Sequence, residues 1–334
     1  MKRRMFLRSS AAVGIGLLCG CAPASRPTRQ TLPLIGYLGT AAAADPVNVR
    51  AVEDFRQALR EQGLIEGQNV WIEERWSEGR GHAWARERTS ELVALGARVL
   101  VANGSLWLPA REVTDAVPIV MTGGNAERLI TQGWATSAAR PSGTVTGLSF
   151  VPRQAFRKRL EMLIAIVPRV RRLAIMSNLE SDQESDSERR TAAEEIGLQA
   201  VLFDVRTVPR LEVAFDEARR WGADAIAGEG LKQTKALAGP LAILALKSGL
   251  PTTFNDTLGV EAGLLLYYGA VFPEGYQFGR PAWHVARILA GTRPGDLPIE
   301  VPDQVRFTMN RKTLERLGLT LPPHITIQVT DWIE

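Results

Sequence analysis

Leu34-Ile35-Gly36-Tyr37-Leu38-Gly39-Thr40-Ala41 is an apolar run ending in a glycine and a hydroxyl. Residues 49–59 follow it with Val52, Phe55, Ala58 and Leu59 on one helical face. A short apolar run leading into an amphipathic stretch is the sequence form of a buried parallel strand and its crossover helix. The unit recurs. Residues 70–76 alternate as a second strand, 82–95 carry helical spacing, and 98–102 and 118–121 give a third and a fourth strand. This rhythm predicts a doubly wound α/β lobe.

The rhythm then starts again. Helical patterns at 156–166, 184–196, 211–221 and 235–247 alternate with strand candidates at 172–176, 199–205, 223–227 and 251–254. The expected architecture is two lobes of the same doubly wound, Rossmann-like kind. In open parallel sheets, small molecules bind beyond the carboxyl ends of the strands. The stretches expected there are Gly39-Thr40-Ala41, Asn103-Gly104-Ser105 and Thr122-Gly123-Gly124-Asn125 in the first half. In the second half they are Ser177-Asn178, Gly228-Glu229-Gly230 and Asn255-Asp256-Thr257. Glycine lets backbone N–H groups approach a ligand, and Ser, Thr and Asn add donors without charge. One such loop is what any turn after a strand requires; six together point to a cleft closed by a hinged clamp. The candidate ligand-binding residues are Thr40, Asn103, Ser105, Gly124, Asn125, Asn178, Glu229, Asn255 and Asp256.

The same sequence carries little that points to catalysis. His82, His284 and His324 fall in helix or tail contexts and form no metal-binding pair. The body of the chain has no Gly-x-Ser-x-Gly elbow, phosphate-binding loop or dinucleotide fingerprint. The acidic segment 180–188 lacks the glycine and terminal glutamate of a calcium loop, and reads as a helix start complementing the helix dipole. No metal and no cofactor is expected. Trp107 and Trp134 fall in or near the cleft loops, where they are candidates for stacking on a ligand, while Trp221 and Trp283 read as core.

The N-terminus is an address. Lys2-Arg3-Arg4-Met5-Phe6-Leu7-Arg8 precedes a short apolar core from 11 to 18 that ends at Leu18-Cys19-Gly20-Cys21. That core is shorter than the roughly 20 apolar residues of a permanent membrane span, so it reads as a secretory signal. The paired arginines resemble a twin-arginine export signal, with general secretion as the alternative. Leu18-Cys19-Gly20-Cys21 resembles a lipobox with Cys21 as the lipidated residue; the alternative is an ordinary cleaved signal. Residues 1–21 are thus expected to be a signal peptide with lipobox and 22–33 a polar, proline-bearing tether. The predicted location is the periplasmic or cell-envelope side, with a lipid anchor.

Removing that segment changes the charge argument. The chain has 40 basic and 36 acidic residues, net +4, and residues 1–20 hold four bases and no acids, which accounts for the whole excess. A near-neutral body gives no support for a nucleic-acid partner. Its doublets Arg171-Arg172, Arg189-Arg190 and Arg219-Arg220 read as solvated surface. Cys19 and Cys21 are the only cysteines, so the body has no thiol for a disulfide, a thiolate zinc site or a nucleophile.

Beyond these readings, the ordering from Leu34 to the end resembles the tryptophan/tyrosine-type substrate-binding proteins of bacterial ABC transporters. The resemblance is carried by Leu34-Ile35-Gly36-Tyr37-Leu38-Gly39 and by Phe55-Arg56-Gln57-Ala58-Leu59-Arg60-Glu61-Gln62-Gly63-Leu64. It continues in Ala139-Arg140-Pro141-Ser142-Gly143-Thr144-Val145-Thr146-Gly147-Leu148-Ser149, in Lys158-Arg159-Leu160-Glu161-Met162-Leu163, and in the closing Asn310-Arg311-Lys312-Thr313-Leu314-Glu315-Arg316-Leu317-Gly318.

The resemblance implies a type I periplasmic-binding-protein fold whose lobes are joined by a three-crossing hinge. The expected lobes are 34–148 plus 270–300 and 149–269 plus 301–334. It also implies that Thr40, Asn103 and Ser105 hold the carboxylate of an amino-acid-like ligand. The chain departs from the family pattern at Gly124-Asn125-Ala126, where the family commonly reads Gly-Asp-Pro, leaving Asp256 or Glu229 as partners for an ammonium group. The segment 127–138, containing Trp134, is a few residues longer than usual.

The function expected is the extracytoplasmic solute-binding component of an ABC importer. It would bind a small organic solute between the lobes without chemistry, with a permease and an ATPase as partners. The alternatives are a sensor that presents its closed form to a signalling partner and a hydrolase on the same scaffold.

Overall fold

Every residue of β1 (Leu34–Gly39) is buried, and its side chains divide between two cores. Ile35 and Tyr37 pack with Val52, Phe55, Val285 and Ile288; Leu34 and Leu38 pack with Ala85, Leu92 and Leu106. Period-two alternation with both faces apolar is the signature of a strand covered by helices on each side.

The computed structural model describes residues 31–334 except 41, 45, 79, 151, 178–182, 206, 230–233 and 274. The proposed signal, Cys21, Asn178 and most of the tether lie outside the described residues. After β1 come α1 (Pro46–Glu61), β2 (Trp71–Trp76), α2 (His82–Ala94), β3 (Ala97–Asn103), α3 (Trp107–Val113), β4 (Ile119–Asn125), α4 (Ala126–Thr131) and β5 (Val145–Phe150). The chain continues through α5 (Pro152–Ile166), β6 (Arg172–Ser177), α6 (Gln183–Glu194), β7 (Gln199–Asp204), α7 (Val208–Trp221), β8 (Ala225–Gly228), α8 (Thr234–Ser248), β9 (Thr252–Phe254), α9 (Thr257–Glu261) and β10 (Leu266–Val271). It ends with α10 (Tyr276–Leu289), β11 (Ile299–Glu300), β12 (Gln304–Asn310), α11 (Arg311–Arg316), α12 (Pro323–Thr326) and β13 (Asp331–Ile333).

Two sheets result. The first runs β11-β5-β4-β3-β1-β2, with every pairing parallel. The second runs β13-β12-β10-β9-β8-β6-β7 and is parallel except between β10 and β12. The α/β expectation of two doubly wound sheets holds. The chain passes between the sheets after β5, after β10 and after β11. Strand order reverses at β1, which has β2 on one side and β3 on the other, and at β6, flanked by β7 and β8. Such switch points leave a crevice at the carboxyl edge.

Three details differ from the sequence reading. Residues 122–125, read as a loop, extend β4: Gly124 pairs with Ser149 and Asn125 with Phe150, after a register shift between Thr122 and Gly124. The shift needs Gly123, whose φ of +97° lies in the region that favours glycine. Arg189, read as surface, is only 15% exposed because it pairs with the buried Asp186. Trp107 is 3% exposed inside the core and is not placed to stack on a ligand, while Trp134, half-buried against that core beneath Arg111, is not among the residues that line the cavity at the carboxyl edge of the first sheet.

Candidate functional site

A cavity of about 270 Å³ lies at the carboxyl edge of the first sheet, between its strands and the helices α1 and α10. Tyr37, Phe55 and Phe150 supply three aromatic walls. Asn103, the last residue of β3, contributes a carboxamide, Thr122 a hydroxyl and Gln277 a second carboxamide. Ala51, Val101, Leu148, Pro281 and Gly123 complete the lining, and none of these residues is charged.

The Tyr37 side of the cavity is held from behind. Tyr37 shares a hydrogen bond with the Asn103 side chain, and burial pushes its phenol up to about 12 against that bond. The phenol therefore stays neutral at any physiological pH. Trp76 lies 5.6 Å from the Tyr37 ring and donates its indole N–H to Glu74 at 2.9 Å. Arg56 ties Glu74 at 2.5 Å and Glu66 at 2.7 Å to α1. On the opposite wall, Pro281 lacks the N–H that would return to the Gln277 carbonyl one turn earlier in α10. Gln277 and Pro281 both line the cavity, on the stretch of α10 where the helical ladder is interrupted.

Of the residues singled out from the sequence, Asn103 lines the cavity. Thr40 sits beside the turn that follows β3, its methyl 3.2 Å from where a Gly104 Cβ would be. Ser105 lies in that turn, half-buried. Gly124 is buried beneath Met121 and Trp107. Asn125 caps α4, accepting the Arg128 N–H at 3.1 Å. Asp256 caps α9 in the same way through Gly259 N–H at 3.2 Å. Burial, with Glu261 and Glu229 nearby, raises its carboxyl to about 6. The Asn255 Oδ1 is buried without a hydrogen-bond partner among the described residues.

Glu229 is committed elsewhere. It accepts Arg159 Nη2 at 2.6 Å, both side chains being 5% exposed, and its other oxygen lies 3.9 Å from Arg189. Arg189 also binds Asp186, which accepts the Ser177 hydroxyl at 2.6 Å. Part of the acidic segment read as a helix start is thus a buried ion network. No group of three or more metal-ligating side chains occurs among the described residues.

Thr122 and Gly123 belong to a stretch expected at the ligand edge, whereas Tyr37, Phe55, Phe150, Gln277 and Pro281 were missing from the sequence-derived set. Tyr37 had a faint signal, a polar-tipped ring in an otherwise aliphatic strand. Gln277 and Pro281 had none, because only the fold of α10 against α1 brings them there.

The two sheets, three crossings and edge cavity define a type I periplasmic-binding-protein-like fold. A family model described as ABC transporter substrate binding protein matches residues 42–333, and the chain belongs to that family. Proteins of this kind bind small molecules and work with a permease and an ATPase. A conserved domain protein from Vibrio cholerae O1 biovar El Tor has a TM-score of 0.72 at 20% identity, covering 90% of this chain and 99% of that one. An ABC domain from Streptococcus pneumoniae, in complex with L-Trp, has a TM-score of 0.70 at 20% identity, covering 90% and 100%. A solute-binding protein of an ABC transporter from Rhodopseudomonas palustris, in complex with 4-hydroxybenzoate, has a TM-score of 0.51 at 14% identity, covering 80% and 76%. At these identities the likeness is one of fold. A search of curated protein sequences found no match. No helix among the described residues is long and apolar enough to cross a membrane.

Proposed function

We propose that this chain captures a small ring-bearing solute in the first-sheet cavity and hands it, unaltered, to the permease and ATPase of an importer. The observation that carries the reading is the cavity itself: three aromatic walls, neutral amides and hydroxyls, and no charged lining residue. At about 270 Å³ it is near the lower end of ligand sites, which run from roughly 300 to 1,000 Å³. The end of the solute that enters is uncharged, since an ion there would lose its hydration without an ionic partner. Its ring packs on Tyr37, Phe55 and Phe150, and a hydroxyl or N–H meets Asn103, Thr122 and the Gln277 carbonyl. The fold relatives solved with L-Trp and with 4-hydroxybenzoate both hold ring-bearing compounds, which fits this choice.

In this reading 34–148 with 270–300, and 149–269 with 301–334, are the lobes that close on the solute. Thr40 and Ser105 and, across the cleft, Asn255 meet its outer end. Residues 1–21 direct export, by the twin-arginine route, and Cys21 carries the lipid that holds the protein at the membrane on the tether 22–33.

A thermal-shift screen with L-tryptophan, L-tyrosine, 4-hydroxybenzoate, nucleosides and small aliphatic acids tests the solute. A ligand at 100 times its Kd adds about 2.7 kcal/mol to stability, so a binder gives a clear, saturable rise with one-to-one stoichiometry. Conversion of the bound compound, or a preference for aliphatic acids over every ring compound, overturns the proposal. Radiolabelled fatty acid incorporated into the chain but not into Cys21→Ala tests the anchor.

A further inference from the structure

The chain leaves the first sheet at Phe150, returns to it after Val271 and leaves again at Glu300. Side chains at these three connectors touch. Phe150 meets Phe272 edge-on, ring centroids 5.3 Å apart at 65°, and Phe272 stacks on Tyr276 at 5.4 Å and 16°. The Tyr276 hydroxyl donates to Glu300, which also accepts Arg280 Nε at 2.7 Å and lies 3.6 Å from His284 Nε2. Tyr276, Arg280 and His284 are spaced four apart, so one face of α10 converges on the end of β11. Phe150 is also a wall of the cavity, and α10 supplies Gln277 and Pro281 to the opposite wall.

Resting on the solute-binding reading, we infer that Phe150, Phe272, Tyr276 and Glu300 couple the three connectors into one hinge and tie its position to what fills the cavity. Three separate connectors would bend independently. Rings in contact and a hydrogen-bonded carboxylate make bending one of them displace the other two. A solute favours the closed arrangement only by interacting differently with the two states, and Phe150 is where such a difference enters the hinge. Phe272, Tyr276 and Glu300 are positioning residues, acting on a solute whose cavity they do not line.

The first test needs no ligand. Hydrogen exchange is measured on the full chain and on Phe272→Leu, Tyr276→Phe and Glu300→Gln. Coupling predicts that each substitution raises exchange by about fivefold or more at the connectors that do not carry it, as local opening of a shared unit does. Exchange raised only around the substituted residue overturns the inference. The second test adds L-tryptophan or 4-hydroxybenzoate as probe. For a probe that compacts the unaltered chain in X-ray scattering, Phe272→Leu should abolish the compaction and weaken binding about tenfold, or 1.4 kcal/mol. Unchanged compaction and affinity break the link to the cavity. If no ring compound of the thermal-shift panel binds the unaltered chain, the solute reading fails, and the exchange result decides the hinge by itself.

Discussion

Arg159 of α5 and Glu229, just beyond β8, form an ion pair at 2.6 Å with both side chains 5% exposed, and Arg159 also donates to the Tyr268 carbonyl at 3.1 Å. The pair sits where the sequence had placed a partner for a ligand ammonium group. Breaking one side strands a buried charge, which costs about 3–5 kcal/mol. Glu229→Gln and Arg159→Met should each lose that much in urea unfolding, and the double variant should lose less than the sum. A loss below 1 kcal/mol for the single variants contradicts this structural role.

Asp256 predicts a pH dependence of the opposite kind to an ordinary paired carboxylate. Its folded pKa of about 6 lies above the unfolded value near 3.9, so the folded state holds the proton more tightly. Stability contributed by the neutral acid is fully present below about pH 4 and is lost as pH rises to about 6. Asp256→Asn keeps the helix cap and removes the buried charge. It should raise stability by up to about 3 kcal/mol at pH 7.5 and by almost nothing at pH 4. Equal effects at both pH values refute the assignment.

Gly147 in β5 has φ +113°, and a Cβ there would lie 2.3 Å from the Met121 carbonyl oxygen of the neighbouring strand. Gly147→Ala must therefore push β5 off β4, the strand that carries Thr122 and Gly123 of the cavity. The loss should be about 3 kcal/mol or more. Gly63, with φ +78° and open space around it, is the control. Gly63→Ala should lose only about 1 kcal/mol in the same thermal melt.

Pro281 separates stability from binding. Pro281→Ala restores an N–H to the Gln277 carbonyl inside α10, and interior proline costs a helix about 3 kcal/mol. The variant should melt higher and bind its solute more weakly by calorimetry, since the carbonyl is then satisfied by the helix. Tighter binding by Pro281→Ala rules out the carbonyl as a ligand acceptor.

Asn103→Ala removes the carboxamide that both lines the cavity and bonds Tyr37. The best compound from the thermal-shift panel should lose about tenfold in affinity, the scale of one or two hydrogen bonds. Asn125→Ala, which removes only a helix cap, should instead cost about 1 kcal/mol of stability. Affinity unchanged by Asn103→Ala moves the site elsewhere.

Much of the fold was legible because its signals are local. The two-faced apolar run at 34–39 and the helical spacing at 49–59 each reflect burial within one element. The strand end at 122–125 was not legible, because glycines and an asparagine look like a turn until Ser149 and Phe150 pair with them. The same holds for charge: Arg189 reads as surface beside Arg190, yet a buried Asp186 draws it inward. In the site, Asn103 was found because it ends a strand. Phe150, Gln277 and Pro281 escaped, since an apolar ring ending a strand and a proline in a helix have no ligand signature of their own.

What the sequence determined alone was the α/β rhythm, the number of lobes and a near-neutral body without thiols, all properties that depend on residue type and near-neighbour spacing. The tertiary structure decided which polar residues remain free for a ligand. Glu229, Asn125 and Asp256 carry the right chemistry, but an arginine 70 positions away and two helix N-termini occupy them. The cavity, in turn, is closed by a helix that returns to β1 after more than half the chain. Which groups compete for a hydrogen bond or an ion pair is a matter of distance in space.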